Sequence, residues 1–153
     1  MAELRRALDA LVEPYGDLVV ARHLDADPHF DPAEQCSVDA AWITSLEPTV
    51  RGQRIEIRYD DEGELFLFIG DVGILEWRDH SDIDGVVAEA AGICAGVMAG
   101  DIWEWRTAHE RGCEVAGPDG RRWRLTYGRP RWKYWPRWGL WPVRRRRLVG
   151  YVG

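Results

Sequence analysis

The chain has 153 residues, of which 46% are hydrophobic and 30% are charged, and its formal net charge at pH 7 is −6. These values are typical of a single globular domain that is long enough to bury a core. No run of about eighteen apolar residues occurs, which excludes a transmembrane helix. Residues 1–11 alternate charged and apolar side chains, unlike a signal peptide, so we expect a cytoplasmic protein.

The first half of the chain predicts a helix followed by short strands. Leu4, Leu8 and Leu11 fall on one helical face, and Pro14 with Gly16 ends that helix. Four strands are then expected, with a fifth segment that extends or follows the sheet: residues 17–22, 38–44, 54–59, 64–69 and 74–77. The third and fourth strands are joined by an Asp-Asp-Glu-Gly sequence, which is a good hairpin signal.

The second half predicts a longer helix and a second group of strands. Ser81 is the expected N-cap of a helix that runs to about Ala99 and ends at Gly100. Gly92, Gly96 and Gly100 recur every fourth residue, which favours close packing of this helix on a sheet. Antiparallel strands are expected after it, with one further candidate at the end: residues 102–107, 113–116, 121–127 and 148–152.

Together these elements predict an α+β fold in which a mostly antiparallel sheet carries two helices on one face. Residues 1–153 are expected to form one domain, because no linker interrupts the pattern. A Trp/Pro/Arg-rich C-terminal extension stands apart from these elements. We call it the Trp/Arg ribbon (residues 129–147), and we expect it to pack on the domain or to extend from it.

Tryptophan recurs at every third residue of the Trp/Arg ribbon, and proline recurs at every sixth. A period of three fits polyproline II, which would place the indoles on one edge over roughly 28 Å at about 3.1 Å per residue. Arginines lie along a second edge and after it. The side chains that would bind a partner here are Trp132, Trp135, Trp138, Trp141, Arg131, Arg137, Arg144 and Arg145.

The W-x-x-W-x-x-W spacing resembles the Trp/Arg ladder of thrombospondin type 1 repeats, and this resemblance implies alternating indole and guanidinium layers. That family is extracellular and disulfide-bonded, whereas this chain has no cysteine after Cys113. Of the features of that family, only the stacking of indoles on guanidinium groups is therefore expected in this chain. The indoles either cover an otherwise exposed sheet face or stay exposed for a partner, which would be nucleic acid, protein or a membrane interface.

Charge is divided unevenly along the chain. Residues 1–120 carry a formal charge of −17, whereas residues 121–153 hold eleven basic residues and no acidic ones. This asymmetry indicates one of two arrangements. Either the basic end folds back and neutralises the acidic body, or the charged regions contact nucleic acid, a membrane or another protein.

Two acidic clusters stand out in the body, one in the predicted hairpin and one ahead of the longer helix. We call them together the acidic surface: Asp60, Asp61, Glu62, Glu64, Asp79, Asp82 and Asp84. Such clusters are usually solvated, but they also steer a basic partner protein and raise its association rate. In size, charge and lack of a catalytic motif the chain is similar to small acidic proteins that block a basic toxin. The leading hypothesis is a non-enzymatic binding protein with a protein partner, and the alternative is nucleic-acid binding by the ribbon.

No motif of an enzyme, metal or cofactor site is recognisable. The serines lie outside any G-x-S-x-G context, and no glycine-rich nucleotide fingerprint occurs. Cys36, Cys94 and Cys113 form no C-x-x-C pair. The segment His23–Asp31 alternates ligand-type residues but departs from the EF-hand pattern, so we expect no metal and no cofactor. An enzyme of unrecognised class stays a third alternative.

Overall fold

The computed structural model describes residues 2–25, 40–60, 64–77, 82–107, 110–127 and 144–151. Within these ranges two helices, α1 (Ala2–Val12) and α2 (Ile83–Ala99), accompany nine strands, and a 3-10 helix (Glu13–Leu18) follows α1. The strands are β1 (Val19–Asp25), β2 (Ala40–Pro48), β3 (Ile55–Asp60), β4 (Leu65–Ile69), β5 (Gly73–Trp77), β6 (Ile102–Arg106), β7 (Arg111–Ala116), β8 (Arg122–Tyr127) and β9 (Arg144–Arg147).

All nine strands belong to one sheet, in the order β1-β2-β3-β4-β5-β8-β7-β6-β9, and every neighbouring pair is antiparallel. Eight of them coincide with expected segments to within a few residues. The prediction of an α+β fold with a mostly antiparallel sheet and two helices is therefore confirmed.

Two local expectations were wrong. The last strand is Arg144–Arg147 rather than residues 148–152, because carboxylates on β6 and β7 bind its guanidinium groups while Leu148 turns into the core. The N-cap of α2 is Asp82 rather than Ser81. The Asp82 carboxylate accepts a hydrogen bond from the backbone N–H of Gly85 at 2.9 Å. Ser81 itself lies outside the described residues.

The core lies between the sheet and the two helices. In β4, Leu65, Leu67 and Ile69 are buried in the same cluster as Leu4 and Leu8 of α1, while the two phenylalanines of the strand point to the other side. Alternation of this kind is what a sheet with one buried face requires. We call the side packed against the helices the helix face and the opposite side the open face.

Helix α2 runs across the strands of the second half of the sheet. Its Glu89 side chain accepts hydrogen bonds from Trp77 on β5 at 2.7 Å and from Trp123 on β8 at 2.9 Å. Further along, Gly92 lies against Trp123, and Gly96 lies against Ala116 on β7. At Gly92 and Gly96 this side of the helix contacts the sheet so closely that a side chain would collide with it. Gly100 instead ends the helix in a left-handed conformation.

The variant Gly96→Ala tests this close contact. A Cβ at that position would lie 2.3 Å from the carbonyl oxygen of Ala116 and 2.7 Å from Val115 Cγ1. Alanine gains about 1 kcal/mol of helix propensity over glycine, but the forced shift of the helix should still lower the free energy of unfolding by about 1–3 kcal/mol. Urea denaturation measures the difference.

Ala88→Ser serves as the matched control, since Ala88 is exposed on the same helix. It should change the free energy of unfolding by less than about 0.5 kcal/mol. A Gly96→Ala protein as stable as the unchanged chain would mean that the helix stands away from the sheet.

The C-terminal end of the chain returns to the core after β9. Tyr151 is 2% exposed, and its backbone N–H donates to the carbonyl oxygen of Met98 at 2.8 Å. Its hydroxyl lies 2.7 Å from the carbonyl oxygen of Gln53 and 3.0 Å from that of Leu46, and its ring meets Tyr15 edge-on. Tyr151 therefore joins the end of α2 to β2 and to the turn that precedes β3.

Residues 128–143 connect β8 to β9 and lie outside the described residues. The ladder pairs Tyr127 with Arg111, Arg111 with Arg106, and Arg106 with Arg144. The connection therefore leaves and rejoins the sheet at the same end, three strand positions apart, or roughly 14 Å at about 4.8 Å per strand. Most of the Trp/Arg ribbon is thus chain between two strands of the sheet, and the chain that follows it belongs to the fold.

Candidate functional site

The described residues that adjoin the two acidic clusters meet at one end of the sheet. Leu65 at the start of β4 pairs directly with Trp77 at the end of β5. Glu64 precedes Leu65 in the chain, and Asp82 is the N-cap of the helix that follows β5. Of the acidic surface, Asp61, Glu62 and Asp79 lie outside the described residues, and so does the side chain of Asp60.

The described members of the acidic surface have different surroundings. Asp82 caps α2, and Asp84 is exposed in the first turn of the same helix. The positive end of a helix dipole stabilises carboxylates at these positions. Glu64 is half-buried beside the start of β4. The cluster thus combines a structural cap with solvent-facing charge.

The arginines of β9 bind acids at the other edge of the sheet. Arg145 donates to Glu114 on β7 at 3.1 Å, and Arg146 donates to Glu104 on β6 at 3.0 Å. Glu114 also accepts from Arg122 on β8 at 3.0 Å. The basic end of the chain does fold back on acidic residues, as one interpretation of the charge pattern expected, but its described part does so at β6 and β7.

Glu104 is the most enclosed carboxylate in this group. It is 4% exposed on the helix face of β6, opposite Cys113 in the ladder. Arg106 Nε lies 2.6 Å from one of its oxygens, and Arg146 Nη2 lies 3.0 Å from the other. A buried carboxylate is tolerated when guanidinium groups pair with it in this way.

Two tryptophans on the open face of β6 stack with arginines. The guanidinium of Arg124 lies 4.3 Å from the ring centre of Trp105, and that of Arg147 lies 5.8 Å from the ring centre of Trp103. The indole–guanidinium stacking expected for the ribbon therefore occurs on the sheet. These two indoles were not among the binding residues predicted from the sequence, although their alternation on a predicted strand placed them on one face.

Most of the ribbon residues that were predicted to bind a partner lie outside the described residues. All four tryptophans of the ribbon, with Arg131 and Arg137, lie outside the described residues. Arg144 and Arg145 are in β9, and Arg145 binds Glu114. The expectation that the ribbon indoles cover a sheet face or bind a partner stays a prediction.

A hydrogen-bonded chain of three side chains joins α1 to the first two strands. Asp9 Oδ1 lies 3.1 Å from His23 Nε2, and His23 Nδ1 lies 2.8 Å from Thr44 Oγ1. The connectivity is that of an acid–base–hydroxyl relay. Thr44 is only 1% exposed, so its hydroxyl cannot meet a substrate, and the chain acts as a tie between helix and sheet.

Both described cysteines are inert at neutral pH. Burial raises the pKa of Cys94 to about 12. Burial, with the negative charge of Glu104 as a smaller cause, also raises the pKa of Cys113 to about 12. Thiols react as thiolates, so neither residue serves as a nucleophile in the folded chain.

No group of three or more metal-ligating side chains occurs within the described ranges. Residues 26–39, which include Cys36 and most of the loop that begins at His23, fall outside them. His23 itself is engaged with Asp9 and Thr44.

Labelling with iodoacetamide tests the burial of the thiols. At neutral pH Cys94 and Cys113 should stay unmodified in the folded chain and become modified in urea, as peptide mass spectrometry would show. Because these thiols ionise near pH 9.0 when unfolded and near 12 when folded, unfolding releases protons in that interval. Stability should therefore fall as pH rises from 9 towards 12. Rapid modification of Cys113 without urea would contradict the packing.

No family model, no curated protein and no solved structure matches this chain. Its function is therefore argued from geometry and charge.

Proposed function

We propose that the chain is a non-enzymatic cytoplasmic protein that binds a basic protein partner through the acidic surface, in an immunity- or antitoxin-like role. The observation that supports this proposal is the pairing of Leu65 with Trp77, because the two acidic clusters adjoin these paired strand ends in the sequence. Gathered charge of one sign creates a field that a partner of opposite sign senses before contact.

The arginines of β9 bind carboxylates that do not belong to the acidic surface. The carboxylates that bind Arg145, Arg146 and Arg147 are on β6, on β7 and just before β6. Strand β9 lies five positions from β4 in the sheet order. That separation is roughly 24 Å along the sheet at about 4.8 Å per strand, compared with a screening length of about 8 Å at physiological salt.

Electrostatic steering acts mainly on the rate of association. Exposed carboxylates at the rim of an interface raise that rate, and added salt reduces the effect. Asp84 is exposed and available for this role, whereas Asp82 is needed as the helix cap. A partner with a basic active surface, such as a nuclease toxin, has the complementary charge.

The first experiment is affinity purification of the full chain from its own lysate at low salt, followed by kinetics with the captured partner. A test variant neutralises four carboxylates of the acidic surface while keeping Asp82: Asp61→Asn, Glu62→Gln, Glu64→Gln and Asp84→Asn. We expect the association rate of this variant to fall on the order of tenfold at low salt and the gap to close at high salt.

A control variant removes the same number of charges from exposed positions elsewhere: Glu3→Gln, Glu13→Gln, Asp17→Asn and Glu110→Gln. It should associate at nearly the normal rate, since local field and not net charge is the cause. Equal rates for all three proteins, or a capture that yields no protein partner, would refute the proposal.

Nucleic-acid binding is a second candidate, which the stacks of Arg124 on Trp105 and Arg147 on Trp103 favour. Aromatic rings beside guanidinium groups bind single strands by stacking and by phosphate contact. Absorbance at 260 nm that is lost on nuclease treatment of the purified chain would support this candidate over the first.

A further inference from the structure

We propose that the cleft between the ends of β6 and β9 is a binding site for a phosphate-type oxyanion, either a small phosphate compound or a phosphate of a nucleic acid. This site lies apart from the described part of the acidic surface. Residues 106, 111 and 127 share a ladder row at the end of the sheet where β5 begins, whereas Glu64 adjoins Leu65, which pairs with Trp77 where β5 ends.

The cleft has a volume of about 560 Å³, and the described residues that line it are Glu104, Arg106, Arg145 and Arg146. By strand alternation, Arg106 and Arg146 lie on the helix face with Glu104, whereas Arg145 lies on the open face, where it binds Glu114. The side chains of Arg106 and Arg146 are 56% and 73% exposed, so a dissolved anion can reach both guanidinium groups. The volume is far larger than a single phosphate needs, which leaves room for the group that bears it.

Only part of this positive charge is neutralised by described carboxylates. Arg106 and Arg146 share the single carboxylate of Glu104. One carboxylate therefore serves two guanidinium groups, each of which has five N–H donors.

These features select an oxyanion over other ligands. A cation would be repelled by the arginines, and an apolar group would desolvate them without compensation. Guanidinium forks match the oxygen spacing of phosphate and bind it through two parallel hydrogen bonds. The chemistry is shared by free phosphate, nucleotides and nucleic-acid backbones, so the test includes each of them.

Isothermal titration of the full chain at low salt would use three probes: inorganic phosphate, adenosine monophosphate and a short single-stranded oligothymidylate. We expect saturable binding of at least one. Arg146→Gln and Arg106→Gln should each weaken it about tenfold, which is the effect expected for losing one charge-assisted contact. Arg121→Gln is the matched control, because Arg121 is exposed at the opposite end of β8 and pairs with Asp119.

Glu104→Gln gives a test of opposite sign, since it removes the carboxylate among the described residues that line the cleft and should tighten anion binding severalfold. Binding of the small probes would identify a small phosphate ligand. Binding of the oligonucleotide alone, with the same response to the variants, would identify a nucleic-acid phosphate. Absence of binding by every probe, or binding that ignores all cleft variants, would overturn the proposal.

Discussion

The rest of the structure depends on the return of the chain to the core at Tyr151. This residue holds the end of α2 through Met98 and the β2–β3 region through Leu46 and Gln53. Burial raises the pKa of its hydroxyl, which keeps the hydroxyl protonated as a donor. Because β9 and Tyr151 follow residues 128–143, both ends of that connection are held by the fold.

This anchoring also determines where the charges lie. The chain must cross to the outer edge of β6 before it reaches Tyr151, and it does so as the arginine strand β9. Arginines on an edge strand discourage pairing with other sheets. Arg145 and Arg146 also bind Glu114 and Glu104, which do not belong to the acidic surface. Both proposed sites, one for a basic protein and one for an oxyanion, follow from this single path.

Much of the fold could be predicted from the sequence because local patterns determine it. The alternation of side chains in β4 indicates a strand with one buried face. The glycine spacing of α2 indicates a helix that packs closely on the sheet. The placement of β9 could not be predicted, since four consecutive arginines have no strand pattern of their own and become a strand only beside the acids of β6. The cleft was missed for the same reason. Arg106 and Arg146 are distant in sequence, and the register of two ladders brings them to Glu104.

Amide hydrogen exchange of residues 144–151 tests the central claim most directly. The N–H of Tyr151 donates to Met98, and the N–H of Leu148 donates to Ile102. These two amides should exchange about as slowly as those of the central strands β3 and β4, because all of them should open only with the whole fold. Fast exchange throughout residues 144–151, alongside protected β3 and β4 amides, would show that the C-terminal return does not hold the structure together.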